Sequence, residues 1–332
     1  MKALRLDTPD GTQSARLTTL EPPAPGPGQV RVALKAASLN HRELWIVRGQ
    51  YPGMQLPATL GCDGAGIVDT VGDGVDAALV GSEVVLYPGL DNWGPDPLLP
   101  AAGFGLLGMP GAGTLAEAIC VPAAHVLPKP SHLNFEEAAA LPLAMLTAWR
   151  ALTTKARLKQ GETLLLTGVG GGVAMSALKL ALAMGAEVYV TSGSDGTLAR
   201  AAELGARGGF NYRDSNWRKA VAAVRLDVVV DGAPAAGYPN YSRALRRGAR
   251  VVFYGSTAGV DVNINVPELF IKNITITGTN VGNLEEFRAV LDFIGRHAIR
   301  PEIDRSFKLD DAVSALKYLE TSHGLGKVVV RS

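Results

Sequence analysis

The sequence predicts an α/β protein in which a doubly wound parallel sheet is joined to an irregular all-β unit. A glycine-rich turn, Thr167-Gly168-Val169-Gly170-Gly171-Gly172-Val173-Ala174, links an apolar run at 163–166 to an apolar helical pattern at 173–184. Beyond it, strand-like runs at 187–191, 209–212, 226–231, 249–254 and 274–278 alternate with segments of roughly helix length, the alternation a parallel sheet requires. The first 120 residues differ: short strand candidates at 30–37, 65–71 and 83–87 are separated by turns rich in Gly and Pro.

From the N-terminus, residues 1–7 read as a short strand and residues 22–28 as a Pro- and Gly-rich surface turn. Helical character rises after Pro128: Asn134-Phe135-Glu136-Glu137 has the form of a capping box, and Pro142 opens a helix through Trp149. The first boundary is therefore expected near residue 123. Val228-Val229-Val230 and Val251-Val252-Phe253 are continuously apolar, as in central strands covered on both faces. Residues 283–296, 310–320 and 327–331 supply helix, helix and strand.

The chain of 332 residues, 47% hydrophobic and 19% charged, can fill two cores. A net charge of +1 recommends neither nucleic acid nor an anionic membrane as partner. Cys62 and Cys120 make no disulfide framework and suit a reducing, cytoplasmic compartment. Neither a signal peptide nor a membrane span is expected. The glycine turn carries the chemistry. Glycines let the backbone approach a pyrophosphate, and the free N–H groups and dipole of the following helix favour negative charge. Such turns also end strands without any ligand, but the strand and helix alternation that follows favours a nucleotide.

Several motifs extend the argument: Glu21-Pro22-Pro23 with Gly26-Pro27-Gly28 before a strand, Ala37-Ser38-Leu39-Asn40-His41-Arg42-Glu43, Gly61-Cys62-Asp63-Gly64-Ala65-Gly66, Thr147-Ala148-Trp149, and Gly326-Lys327-Val328-Val329. With the glycine loop, they make the chain resemble the medium-chain dehydrogenase/reductase superfamily over essentially its full length, most closely its quinone-oxidoreductase and zinc-type alcohol-dehydrogenase-like branch. The resemblance implies a Rossmann domain at 124–275 inserted in a GroES-like β-barrel catalytic domain formed by 1–123 and 276–332, with the active site in the cleft. It also implies a homodimer paired through the edge strand at 274–278, which would otherwise expose unpaired backbone groups.

Against the family's zinc pattern the sequence departs. Asn40 stands at the zinc-ligand cysteine position, Cys62 at the histidine position, and 139–147 reads Ala-Ala-Leu-Pro-Leu-Ala-Met-Leu-Thr, so only Asp63 keeps an acid. The lobe at 87–113 contains neither Cys nor His, so a closed thiolate site cannot be built there. A rebuilt metal site from His41, Glu43, Cys62 and Asp63 matches no usual ligand spacing, and Cys62 reads better as a small buried residue. No metal is expected. His125, His132, His297 and His323 read as surface or capping residues at turns and helix ends.

The resemblance places Asn40 and Thr147 against the nicotinamide, and Tyr51 is a candidate contact in the cleft. The cofactor site would comprise Gly168, Gly170, Gly171, Gly172 and Val173 on the pyrophosphate, with Gly255, Ser256 and Thr257 near the nicotinamide ribose. Phe270 and Thr279 would bracket the carboxamide, and Lys327 would reach the pyrophosphate or be solvated. At the second strand end an acid on the ribose is missing. Ser192, Gly193 and Ser194, with Tyr212 and Arg213, suit a 2′-phosphate, and Asp195 reads as a helix N-cap. Arg200 is a further cation, but Thr197 stands where many relatives have lysine. NADPH is expected over NADH. Without a Lewis acid an ordinary ketone lacks a stabiliser for its developing alkoxide, whereas a quinone or α,β-unsaturated carbonyl spreads that charge itself. The leading expectation is a zinc-independent reductase of such small molecules. The alternatives are an alcohol dehydrogenase with a nonstandard zinc site and a non-catalytic NADPH-binding protein. Loops 51–57 and 90–108 would shape the substrate site.

Overall fold

The structure, a computed structural model, describes residues 1–90, 93–94, 96–321 and 324–332. It divides into two units, Met145–Gly282 and Met1–Ala144 with Asn283–Ser332.

In Met145–Gly282 six parallel strands form one sheet: Thr163–Leu166, Glu187–Ser192, Gly208–Asn211, Leu226–Asp231, Leu245–Phe253 and Thr275–Gly278. In chain order they lie third, second, first, fourth, fifth, sixth across the sheet. The order therefore switches direction between the first and fourth strands, the place where doubly wound sheets bind ligands. Leu164, Leu165, Leu166, Val228, Val229 and Val230 are fully buried, which explains the unbroken apolar runs of these central strands. The Gly172–Ala183 helix turns Ala174, Ala177, Leu178 and Ala181 inward. Leu245–Phe253 starts earlier than its apolar run at 249 because its pairing with Leu226–Asp231 shifts register between Leu226 and Val228.

The other unit is mainly antiparallel. Gln29–Ser38 is its central strand and pairs with Asp63–Val71, Ala118–Pro122 and Lys327–Arg331. Val30, Val32 and Leu34 point into the core while alternate residues face outward, the period-2 pattern of a half-buried strand. Ile303–Lys308 pairs in parallel with Lys327–Arg331. Lys2–Leu6 is the middle strand of a smaller sheet with Ala15–Thr19 and Ala58–Thr59.

Both expected boundaries move. Residues 124–144 stay with the β unit because Ala138, Ala139 and Ala140, in and just after the short Phe135–Ala139 helix, pack on Ala36, Ala65 and Val329. Arg300 adds two hydrogen bonds to Glu137. The second boundary passes 275 to Gly282 because Thr275–Gly278 is hydrogen-bonded to the parallel sheet.

Candidate active site

Three strand ends converge in the β unit because of their register: Ser38 pairs with Asp63 on one side and with Val329 on the other, bringing Lys327 alongside. Asn40 then caps the His41–Val47 helix through its backbone. Its N–H donates to the Glu43 carboxylate at 2.8 Å, and its carbonyl accepts the Glu43 N–H at 3.1 Å. The Asn40 side chain is thereby left to reach sideways. Its Nδ2 donates to Asp63 Oδ2 at 2.8 Å and to Cys62 Sγ at 3.5 Å, and its Oδ1 accepts from the Lys327 ammonium.

Asp63 is fully buried and surrounded by donors. Its Oδ2 also accepts from Ser38 Oγ at 3.0 Å and from Lys327 Nζ at 3.0 Å, while its Oδ1 accepts the Leu143 N–H at 2.9 Å. Removing two charges from water costs several kcal/mol per ion, which only close, fully bonded geometry offsets. Lys327 is thus not a solvated residue: it is 5% exposed, and two of its N–H donors are engaged with Asp63 and Asn40. Burial, with Asp63 and Glu43 beside it, pushes the Cys62 thiol well above its ordinary range. Burial likewise raises the Glu43 carboxyl, against the Arg42 guanidinium 3.2 Å away. His41 is exposed. Among the described residues no group of three or more His, Cys, Asp or Glu is placed to hold a metal ion.

In the parallel-sheet unit Gly168 takes φ +64° at the end of the first strand, a conformation that side chains resist. Its N–H donates to Thr191 Oγ1 at 3.1 Å, and the Val169 N–H to the Thr191 carbonyl at 2.9 Å. The Gly172–Ala183 helix begins at Gly171 with no side-chain cap and no acid in its first turn. The first N–H groups of a helix have no partner within it, so Gly172 and Val173 present open donors beside Gly170 and Gly171. These residues fit a pyrophosphate.

A polar network missed in the sequence fixes the base of this loop. Buried Asp231 accepts from Thr167 Oγ1 at 2.5 Å, from Tyr241 OH at 2.8 Å and from the Ala233 N–H at 2.8 Å. Burial raises the Asp231 carboxyl, although those hydrogen bonds favour its charge. The only sequence signal was an acid ending an apolar strand, Leu226–Asp231. Gly255, Ser256 and Thr257 follow the neighbouring strand, with the Thr257 N–H on the Gly232 carbonyl at 3.1 Å.

At the second strand end Ser192, Gly193, Ser194 and Tyr212 come together. The Tyr212 ring lies against Gly193, where a Cβ would sit 2.8 Å from it. Ser194, not Asp195, caps the Asp195–Glu203 helix, since its Oγ accepts the Thr197 N–H at 3.3 Å. Asp195 instead accepts from Asn211 Nδ2 at 2.7 Å. Arg213 sits on the same turn, its N–H on Asn211 Oδ1, and Arg200 pairs with Glu203.

Tyr51 packs beside the β-unit core with the Arg42 guanidinium 4.9 Å over its ring. Thr147 is buried in the Pro142–Arg150 helix and belongs to the other unit from Asn40. Phe270 is 65% exposed on the Val266–Lys272 helix, and Thr279 donates its N–H to the Phe253 carbonyl at 2.9 Å. His125 is not a surface residue: it is buried edge-on against Tyr87, ring centroids 5.2 Å apart. His132 contacts the Ile299 carbonyl, and His297 ends the Leu284–Arg296 helix. His323 lies outside the described residues, as do Asp91, Asn92 and Pro95 of the 90–108 loop. No helix among the described residues is long and apolar enough to cross a membrane.

Comparison with known proteins shows the family of the chain. The zinc-binding dehydrogenase family matches residues 172–296, and the alcohol dehydrogenase GroES-like domain matches residues 26–131. Zinc-type alcohol dehydrogenase-like protein YogA of Leptosphaeria maculans is 37% identical over 95% of this chain and 94% of its own. The quinone oxidoreductase of Rattus norvegicus is 27% identical over 99% and 97%. A crystal structure of an NAD-dependent alcohol dehydrogenase superposes with TM-score 0.93 at 34% identity, covering 100% of both chains. The chain is an NAD(P)H-dependent oxidoreductase and belongs to the medium-chain dehydrogenase/reductase superfamily.

Proposed function

We infer that this chain is a zinc-independent, NADPH-dependent reductase that transfers hydride to a quinone or an α,β-unsaturated carbonyl. The observation that carries the reading is the Lys327–Asp63–Asn40 cluster, in which Asn40 stands at the family's zinc-ligand cysteine position and is bonded to a carboxylate and an ammonium. Zinc needs thiolate, imidazole or carboxylate lone pairs. Asp63 directs its lone pairs at five donors, the Cys62 thiol among them, and the ammonium of Lys327 would repel a dication. These side chains do not fit a zinc ion.

The donors of the glycine turn do fit a dinucleotide, which when bound supplies a hydride from nicotinamide C4. Gly168, Gly170, Gly171, Gly172 and Val173 would hold its pyrophosphate. Ser192, Gly193, Ser194, Tyr212 and Arg213 would hold the adenosine end, where hydroxyls and a cation tolerate a 2′-phosphate and the usual acid is missing. Asn40, Tyr51 and Thr147 would orient the acceptor and nicotinamide, with Gly255, Ser256, Thr257, Phe270 and Thr279 completing that end. Thr275–Gly278 ends its sheet, and nearby Val260, Val266, Phe270 and Ile271 are exposed. This edge suits pairing with a second copy; a monomer by light scattering would rule the homodimer out. Two unpaired cysteines suit a cytoplasmic location.

The test is steady-state oxidation of NADPH and NADH by chelator-treated protein with an ortho-quinone and an enone. Chelator-resistant turnover preferring NADPH is expected. Turnover only after zinc is restored would replace this reading with that of a zinc alcohol dehydrogenase.

A further inference from the structure

An ammonium has three N–H donors. Those of Lys327 have two partners, Asn40 Oδ1 and Asp63 Oδ2, and no third among the described residues. Ser38, Cys62 and Asp63 around it are fully buried, whereas Asn40 is partly exposed, so the cluster comes nearest to solvent at Asn40. A fixed cation with one donor to spare, shielded from water on its other sides, is suited to a developing oxyanion.

We propose that Lys327 is a catalytic residue whose third N–H binds the acceptor's carbonyl oxygen, doing there what a Lewis-acid metal would do. This role rests on the quinone or enone reading above. The β carbon of an enone receives the hydride and its electron pair, oxidising the dihydronicotinamide. The C=C π pair moves to the neighbouring C–C bond and the C=O π pair to oxygen. That oxygen takes a proton from Lys327, and the amine left behind is reprotonated by solvent. Asp63 and Asn40 are positioning residues: each accepts one N–H of the ammonium, and together they fix the direction of the third.

Two readouts test this. In single-turnover hydride transfer, the Lys327→Met/Asp63→Asn double variant, which removes both charges together, should lose about a hundredfold with an enone and only a few-fold with the more activated ortho-quinone. Lys327→Arg should keep most of the enone rate, and NADPH affinity should be unchanged in both. The second readout needs no turnover and no variant. A nitrophenol, whose anion absorbs visible light, should ionise about one pH unit lower when bound to the wild-type protein than when free. Equal rates in wild type and double variant, or an unshifted nitrophenol, would overturn the role of Lys327. A wild-type protein that reduces no conjugated carbonyl would overturn the reductase reading, and this role with it.

Discussion

Lys327 Nζ lies 3.0 Å from Asp63 Oδ2, with the two side chains 5% and 0% exposed, although 264 residues separate them in sequence. Breaking such a pair from one side leaves an uncompensated buried charge. Lys327→Met alone should therefore destabilise the protein by about 3–5 kcal/mol, and adding Asp63→Asn should recover most of that loss. A double-mutant cycle in urea checks it; additive losses would mean that the two groups do not interact.

The glycine turn gives a second expectation. At Gly168, φ +64° penalises any side chain, so Gly168→Ala should cost roughly 1–2 kcal/mol of stability. It should also weaken nucleotide binding, because the turn supplies the donors. Calorimetry of folding and of NADPH binding reads both.

In the proposed reading, the Ser192–Ser194 turn sets the cofactor preference. Ser192→Asp would place a carboxylate where a 2′-phosphate is expected and should weaken NADPH binding at least about tenfold, roughly 1.4 kcal/mol. NADH binding should hold or improve. Equal losses for both nucleotides would place the 2′-phosphate elsewhere.

The two thiols should differ in reactivity. Cys62 is fully buried with its pKa pushed well up by burial and then by Asp63 and Glu43; Cys120 is only partly buried, and its rise is opposed by Arg31. Because the thiolate is the nucleophile, iodoacetamide should label Cys120 first in the native protein and Cys62 only on unfolding. Peptide mass spectrometry resolves the order.

Asp231 has a folded pKa raised mainly by burial. Between its unfolded and folded values the native state binds more protons, so this group's contribution to stability falls as pH rises through that window. Its effect is absent below the unfolded carboxylate range and constant above the folded value. Asp231→Asn should flatten that segment of the stability–pH curve while costing stability through altered bonds to Thr167 and Tyr241. Denaturant midpoints between about pH 3 and 8 test the sign.

The parallel-sheet unit was legible because its information is local. Apolar runs, glycine turn and helical spacing lie within a few residues of one another, and buried central strands such as Leu226–Asp231 admit little else. The capping box at Asn134 and Glu137 formed as read, since both partners lie within one helical turn. The Asp195 N-cap was misplaced by one residue because Ser194 and Asp195 are both good caps and only backbone geometry chooses between them. His125 was misread because nothing nearby in sequence announces Tyr87.

The sequence by itself determined the doubly wound sheet, its glycine turn and the loss of cysteine and histidine from the metal-ligand positions. Tertiary structure alone decided which charged groups surround those positions. The register of Gln29–Ser38 between Asp63–Val71 and Lys327–Arg331 carries Lys327 across the chain to Asp63 and Asn40. A buried carboxylate needs donors, and strand pairing between distant segments determines which ones it finds.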